Sequence, residues 1–377
     1  MSKWPGKYII GLTGNIATGK SVVRKMLEHL GAYGIDADAL AHRAMAKGAP
    51  GYQPVLDTFG KIILDSSGEI DRAKLGRIVF ADPESLRALE KIIHPLVEQA
   101  IDLLVQRASQ RIIVIEAIKL LEGPLAAACD TIWVTFAPPH LQKERLMSKR
   151  GMSEAEALQR IEAQGAQEIK TAAANVVIQN VGSFEDTWKQ VTAAWKVISP
   201  ITDTSPVVMR KAKVGELAVQ RGRPRDSSNI ANLITRLSGG ARPQTQEDVM
   251  AAFGEKAFLL LMSGDQLVGL AGWQVENLVA RTTDMYIDPL IPLDQAIQTL
   301  IKEVERASQD LQCEASLVFV PPQLAAQESI WKDLGYERRS PQTLGVQAWQ
   351  DAALESQPPN TILLFKQLRQ DRVLRPI

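Results

Sequence analysis

The chain has 377 residues, and its 43 lysines and arginines balance 43 aspartates and glutamates, for a formal net charge of zero at pH 7. That balance argues against a bulk electrostatic partner such as nucleic acid or an acidic membrane surface, and the length calls for two domains rather than one core. Two cysteines, Cys129 and Cys313, stand far apart without metal-ligand spacing, no apolar run approaches membrane-spanning length, and the N-terminal stretch lacks a signal peptide's apolar core; a cytoplasmic protein with reduced thiols is expected.

The first element runs from Tyr8 to Ser21. A short β-branched strand is followed by Gly14-Asn15-Ile16-Ala17-Thr18-Gly19-Lys20-Ser21, which fits G-x-x-x-x-G-K-[ST] at every fixed position. Val23, Met26, Leu27 and Leu30 then fall on one helical face that Gly31 ends. This strand, loop and helix read as a Walker A cradle for nucleotide phosphates. Glycines let the chain curl so that amide groups converge, and the helix N-terminus favours the anion. Lys20 supplies a mobile positive charge and the Ser21 hydroxyl a ligand for Mg²⁺. The candidate nucleotide-binding residues run from Gly14 through Val22.

Ala32 to Asp38 reads as a second strand whose end carries Asp36 and Asp38. Acids beyond the carboxyl end of a parallel strand suit proton handling or Mg²⁺ placement; either aspartate also suits an N-cap for the helix holding Leu40, Ala41 and Ala44. Residues 50 to 110 read as helices with turns. Asp82-Pro83 opens one whose apolar face is Leu86, Leu89, Ile92 and Ile93, and Pro95, after His94, is expected to bend or interrupt it. Continuous β-branched runs at 112–115, 131–136 and 176–178 are strands buried on both faces, so a doubly wound parallel α/β sheet is expected. The charged segment between the last two holds Lys143, Arg145, Lys149, Arg150, Arg160 and Lys170, with a capping box at Ser153 and Glu156. It reads as a helical lid closing over ATP or as a solvated face.

GNIATGKS, DAD at 36–38, IDR at 70–72, LGRIVF at 75–80, LEKIIHP at 89–95, LLEG at 120–123, RIEAQ at 160–164 and VIQN at 177–180 stand in an order that resembles the dephospho-CoA kinase family over about the first 200 residues. The resemblance implies a P-loop kinase that phosphorylates the ribose 3′-hydroxyl of dephospho-CoA, with ATP as donor and Mg²⁺. It implies that Asp38 orients or deprotonates that hydroxyl, that Lys20 and Ser21 manage phosphates and metal, that Asp36, Arg72, His94 and Pro95 lie on the acceptor side, and that Arg145 and Arg150 belong to the lid, Arg145 with a catalytic share. Three departures stand out: Asn15, Ala17 and Thr18 replace glycine-rich loop positions, Ile118-Lys119 replaces a proline-led segment, and Asn175 replaces an aspartate. Another small-metabolite P-loop kinase and a nucleotide-binding regulatory protein are the competing readings.

From Ser199 to Pro206 the text has loop chemistry, so domains are expected at 1–198 and 207–377. The second part alternates strands (207–209, 258–262, 267–273, 283–287, 316–320) with helices (226–237, 294–311), and the clustered Arg221, Arg223 and Arg225 read as solvated surface. This order, with LVGLAGW at 267–273 and LGYERR at 334–339, resembles the GNAT acetyltransferase fold. The turn expected to hold the acetyl-CoA pyrophosphate reads Ile287-Asp288-Pro289-Leu290-Ile291-Pro292-Leu293; prolines remove donors and Asp288 brings the wrong charge. A contact, regulatory or assembly module, through which copies of the chain would oligomerise, is preferred to an active acetyltransferase. The tail Leu368 to Ile377 either docks on the first domain or stays disordered.

Overall fold

The computed structural model describes residues 3–198, 216–371, 373 and 374. The expected linker at 199–206 and the expected strand at 207–209 lie outside the described residues, as do Arg372 and Arg375 of the tail. The described strands are β1 (Tyr8–Thr13), β2 (Tyr33–Asp36), β3 (Ile112–Glu116), β4 (Thr131–Phe136), β5 (Val176–Gln179), β6 (Leu217–Arg221), β7 (Ala257–Ser263), β8 (Gln266–Glu276), β9 (Val279–Ile287), β10 (Ala315–Val320), β11 (Glu337–Arg338) and β12 (Ile362–Gln367). Helices used below are α1 (Lys20–His29), α2 (Ala37–Ala44), α3 (Tyr52–Phe59), α4 (Arg72–Ala81), α5 (Pro83–Arg107), α6 (Pro139–Arg150), α7 (Glu154–Glu162), α8 (Gln167–Ala172), α9 (Phe184–Ile198), α10 (Ser227–Leu237), α11 (Gln246–Ala252) and α12 (Leu293–Asp310).

The first five strands form an all-parallel sheet in the order β2-β3-β1-β4-β5. The β1 strand lies between β3 and β4, where the strand order reverses, so the loop after it opens at the crevice in which open α/β sheets bind ligands. β1 and β3 are buried almost throughout, as their β-branched runs require. Val23, Met26 and Leu27 of α1 and Val191, Trp195 and Ile198 of α9 close one face over Ile10, Leu12, Val114 and Trp133.

The remaining seven strands form a mixed sheet in the order β11-β12-β10-β9-β8-β7-β6, with β9 and β10 parallel and β12 antiparallel to β10. The fold is therefore α/β in both halves. By contacts the chain gathers into two compact units, one drawn from Met1–Asp36, Ala108–Gly272 and Tyr286–Thr299 and the other from Ala37–Arg107, Trp273–Met285 and Leu300–Ile377. Each unit draws on both halves of the sequence. Among the described residues no helix is long and apolar enough to cross a membrane, and Cys129 and Cys313 form no disulfide.

Three expectations need correction. The α5 helix runs unbroken through Pro95: a proline inside a helix costs about 3 kcal/mol, but Ile93, Ile101, Leu104 and Val105 are buried along this helix and are worth about 1.5–3 kcal/mol each. The second strand ends at Asp36, and Asp38 falls in the first turn of α2. Arg221 is not a solvated surface residue but the last residue of β6, paired with Leu259, whereas Arg223 and Arg225 are exposed.

Candidate functional site

The loop after β1 is shaped by its glycines. Gly19 has φ 93° and stands as the N-cap of α1 without a side-chain cap, and a Cβ there would run into the amide of Asn180. At Gly14 a Cβ would strike Thr135. Side chains from elsewhere in the sheet hold the loop: Asn180 Nδ2 donates to the Thr18 carbonyl at 3.0 Å, and the Thr18 and Thr135 hydroxyls meet at 2.7 Å. Ala17, at φ 58°, is the loop's one non-glycine residue in the left-handed region. Lys20 is buried and its Nζ donates to the carbonyls of Gly14 and Asn15 at 3.1 and 3.2 Å.

The α6 and α7 helices pack on this loop, as a lid would: Ile16 lies with Leu146 and Ala157. Gln164, just after α7, accepts from the Ile16 amide, and Asn15 Nδ2 donates to the Gly165 carbonyl at 3.0 Å. Arg145 on α6 donates to the carbonyls of Ala17 at 3.1 Å and Asn180 at 2.8 Å, and burial holds its guanidinium below the ordinary arginine range. Arg150, at the end of α6, is exposed.

An acidic group that the sequence reading missed stands beside Ser21. Glu116, the last residue of β3, is buried and accepts from the Ser21 hydroxyl at 3.0 Å. It is also paired with Arg24 of α1 at 2.7 Å; Arg24 further meets Glu28 at 2.8 Å and Asp36 at 3.7 Å. Burial disfavours the Arg24 charge, but Glu28, Glu116 and Asp36 together outweigh it and hold the guanidinium above its usual range. The parallel register that puts Leu12 beside Glu116 and Asp36 beside Glu116 explains the convergence.

In the other compact unit, Asp38 is half-buried in the first turn of α2. One turn on, His42 Nδ1 lies 3.2 Å from Arg72 Nη1; burial, then the Arg72 charge, lowers the His42 pKa. His94 and Pro95 are exposed on α5. The structure thus brings Lys20, Ser21 and Arg145 to one loop, and Arg72 to the helix that carries Asp38.

The departures have local explanations. The Ile118 carbonyl accepts from Thr13 Oγ1 at 3.1 Å and Lys170 Nζ at 3.0 Å, which fixes this segment without a proline. Asn175 Oδ1 accepts from the Ile132 amide at 2.7 Å, a task asparagine and aspartate share. In the mixed sheet, the turn after β9 is closed on itself. Asp288 accepts from the Leu290 amide at 3.1 Å, its carbonyl accepts from Ile291 at 3.0 Å, and Arg236 of α10 pairs with its carboxylate at 2.7 Å. Side-chain hydrogen bonding from Arg236, then the Leu290 amide, holds that carboxyl below its usual range.

The donor set fits a nucleoside triphosphate with Mg²⁺. A glycine cradle that any Cβ would fill suits phosphate oxygens, and a hydroxyl beside a carboxylate supplies two hard oxygen donors. Among the described residues no cluster of three or more His, Cys, Asp or Glu could hold a metal by itself.

A dephospho-CoA kinase family profile matches residues 8–186. The dephospho-CoA kinase of Carboxydothermus hydrogenoformans is 46% identical over 186 residues, covering 48% of this chain and 90% of its own, and that of Aquifex aeolicus is 44% identical over 191 residues, covering 50% and 97%. The crystal structure of the ribosomal-protein-S18-alanine N-acetyltransferase from Escherichia coli is similar over 41% of this chain and 96% of its own, at 14% identity and a TM-score of 0.32.

Proposed function

The chain belongs to the dephospho-CoA kinase family, and from that premise we propose that its P-loop half moves the γ-phosphoryl group of ATP to the ribose 3′-hydroxyl of dephospho-CoA, giving coenzyme A and ADP. The observation that carries this reading is the Ser21 hydroxyl set 3.0 Å from the Glu116 carboxylate at the mouth of a glycine cradle. ATP with Mg²⁺, when bound, supplies an electrophilic phosphorus whose equatorial charge the metal partly neutralises. The chain's own residues do the rest. Loop amides from Gly14 to Ser21 hold the phosphates, Lys20 leaves its carbonyl partners to meet the β- and γ-oxygens, and Ser21 with Glu116 would hold the metal. Arg145, already fixed over the loop, offsets negative charge as it moves to the leaving oxygen. Asp38 takes the ribose proton while the new O–P bond forms and the bond to the ADP oxygen breaks.

Incubating the full chain with ATP, Mg²⁺ and dephospho-CoA is expected to give ADP and CoA in equal amounts. ADP released without CoA, or CoA formed no faster than without protein, removes the reading.

The mixed-sheet half is assigned no acyl transfer. Asp288 already occupies the amides of the turn where an anion would have to bind, and its charge repels one. Full-length protein given acetyl-CoA and a panel of amines is expected to release free thiol no faster than buffer; sustained turnover would restore an acetyltransferase.

A further inference from the structure

The α2 helix carries Asp38 in its first turn and Arg43 in its last, and Arg43 is committed to residues from the mixed-sheet half. Its Nη2 donates to both carboxylate oxygens of Glu314, at 2.7 and 2.6 Å, and its Nη1 to the carbonyl of Asn277 at 2.8 Å. Glu314, immediately before β10, is 0% exposed. Its amide donates to the Leu278 carbonyl at 2.7 Å, its carbonyl accepts from Leu368 and Arg369, and its Oε1 also accepts from the Val373 amide at 3.3 Å. The described part of the tail is therefore docked, and Arg107 of α5 holds it further through Asp371 at 3.0 Å. Beside it, Gln312 Nε2 donates to the Leu104 carbonyl of α5 at 2.8 Å in a buried contact.

The backbone that receives these helices is strained. Of the five non-glycine residues with positive φ among the described residues, three stand here: Asn277 (52°), Leu278 (61°) and Gln312 (59°). The left-handed region is unfavourable for leucine, and such conformations persist where their surroundings over-determine them, typically at clamps and functional sites. Here the determinants are Arg43 on the Asn277 carbonyl and the Glu314 amide on the Leu278 carbonyl. One guanidinium nitrogen holds both Glu314 carboxylate oxygens while the other holds the Asn277 carbonyl, which fixes direction as well as distance, so these contacts restrain rotation of α2 as well as its position.

We propose that the mixed-sheet half serves the phosphoryl transfer as a positioning element: the buried Arg43–Glu314 pair, set by the strained Asn277–Leu278 turn, orients α2 and with it Asp38, which makes Glu314 a positioning residue for the kinase. The inference rests on Asp38 being the proton acceptor proposed above.

The test compares full-length wild type, Glu314→Gln, Arg43→Lys and the double variant Arg43→Met/Glu314→Met for kcat, for KM of each substrate, and for hydrogen exchange at residues 37–44. Glu314→Gln is expected to lower kcat about 10-fold with KM for ATP unchanged, and Arg43→Lys, which keeps the charge but not the second nitrogen that holds the Asn277 carbonyl, about threefold. The double variant leaves no charge buried alone, so it is expected to melt as the wild type does while keeping the low kcat and showing faster exchange confined to α2. Wild-type kcat in the double variant, or a loss carried wholly by KM for ATP, overturns the proposal. Should Glu314→Gln not fold, the other two variants decide alone. A wild type that makes no CoA fails the kinase reading instead, and wild-type turnover in Asp38→Asn fails the premise that links the two.

Discussion

Ser21 and Glu116 meet across 3.0 Å although 95 positions separate them in the chain. Loop and strand end are brought together by the parallel pairing of β1 with β3. Replacing Glu116 by Gln keeps the shape and a hydrogen-bond acceptor but removes the charge. Arg24 retains Glu28 and Asp36, so folding is expected to survive. The half-saturating Mg²⁺ concentration should rise and kcat should fall about 10²-fold. A magnesium titration of steady-state CoA formation measures both; an unchanged titration would exclude Glu116 as a metal-side ligand.

Asp38→Asn should lower turnover by about 10²- to 10⁴-fold with the fold intact, the range in which a positioned proton acceptor contributes. Lys20→Ala should abolish turnover by removing the charge on the transferred group. Near-normal turnover in the aspartate variant would take Asp38 out of the mechanism, and circular dichroism of both variants guards against simple unfolding.

Ala17 pays for its φ of 58°. A left-handed alanine costs about 1–2 kcal/mol and glycine at the same place loses about 0.5–1 kcal/mol in chain entropy, so Ala17→Gly is expected to stabilise the protein by about 0.5–1 kcal/mol. A higher urea midpoint with unchanged KM for ATP is the result to look for. A lower midpoint would mean that the methyl group's contacts with the lid outweigh the strain.

His29 closes the far end of α1. Its Nε2 lies 2.8 Å from the Phe253 carbonyl, and its ring meets Trp188 and Phe253 edge to face. Burial, and after it the charge of Arg221, pushes its pKa down to about 3; the Phe253 carbonyl and Glu28 pull the other way, and Lys25 adds to the lowering. The sign follows from linkage. Above pH 6.5 the ring is neutral in both folded and unfolded chains, so it contributes no pH dependence. As pH falls from 6.5 toward 3 only the unfolded chain takes up the proton, and stability drops by up to about 1.4 kcal/mol per pH unit, about 2 kcal/mol at pH 5. The difference between urea midpoints at pH 7.5 and pH 5 should shrink in His29→Gln; an equal difference would assign the acid sensitivity elsewhere.

The strands β1, β3 and β4 could be read from the sequence because a strand buried on both faces reads as a nearly continuous apolar run, and the nucleotide loop because its glycines are required by sterics. Glu116 could not, since it reads as the polar end of an apolar run and only the sheet register gives it Ser21 for a neighbour. Arg24 was hidden for the same reason: on a helical wheel it is one charge among several, and its three acidic partners come from α1, β2 and β3. β6 and β12 were missed because Leu217–Arg221 and Ile362–Gln367 each end in polar residues and lie beside charged text. Pro95 misled in the opposite direction, because a local rule about helix breaking was overruled by burial spread along the whole of α5.

The carboxylate that Arg43 grips belongs to a residue 271 positions further on, and this has a bearing on modularity. A gene cut back to its first 198 codons would encode Arg43 without its Glu314 partner, and the complementary fragment would encode Glu314 without Arg43. Separating the halves would therefore open both groups to water and remove the restraint that the pair places on α2.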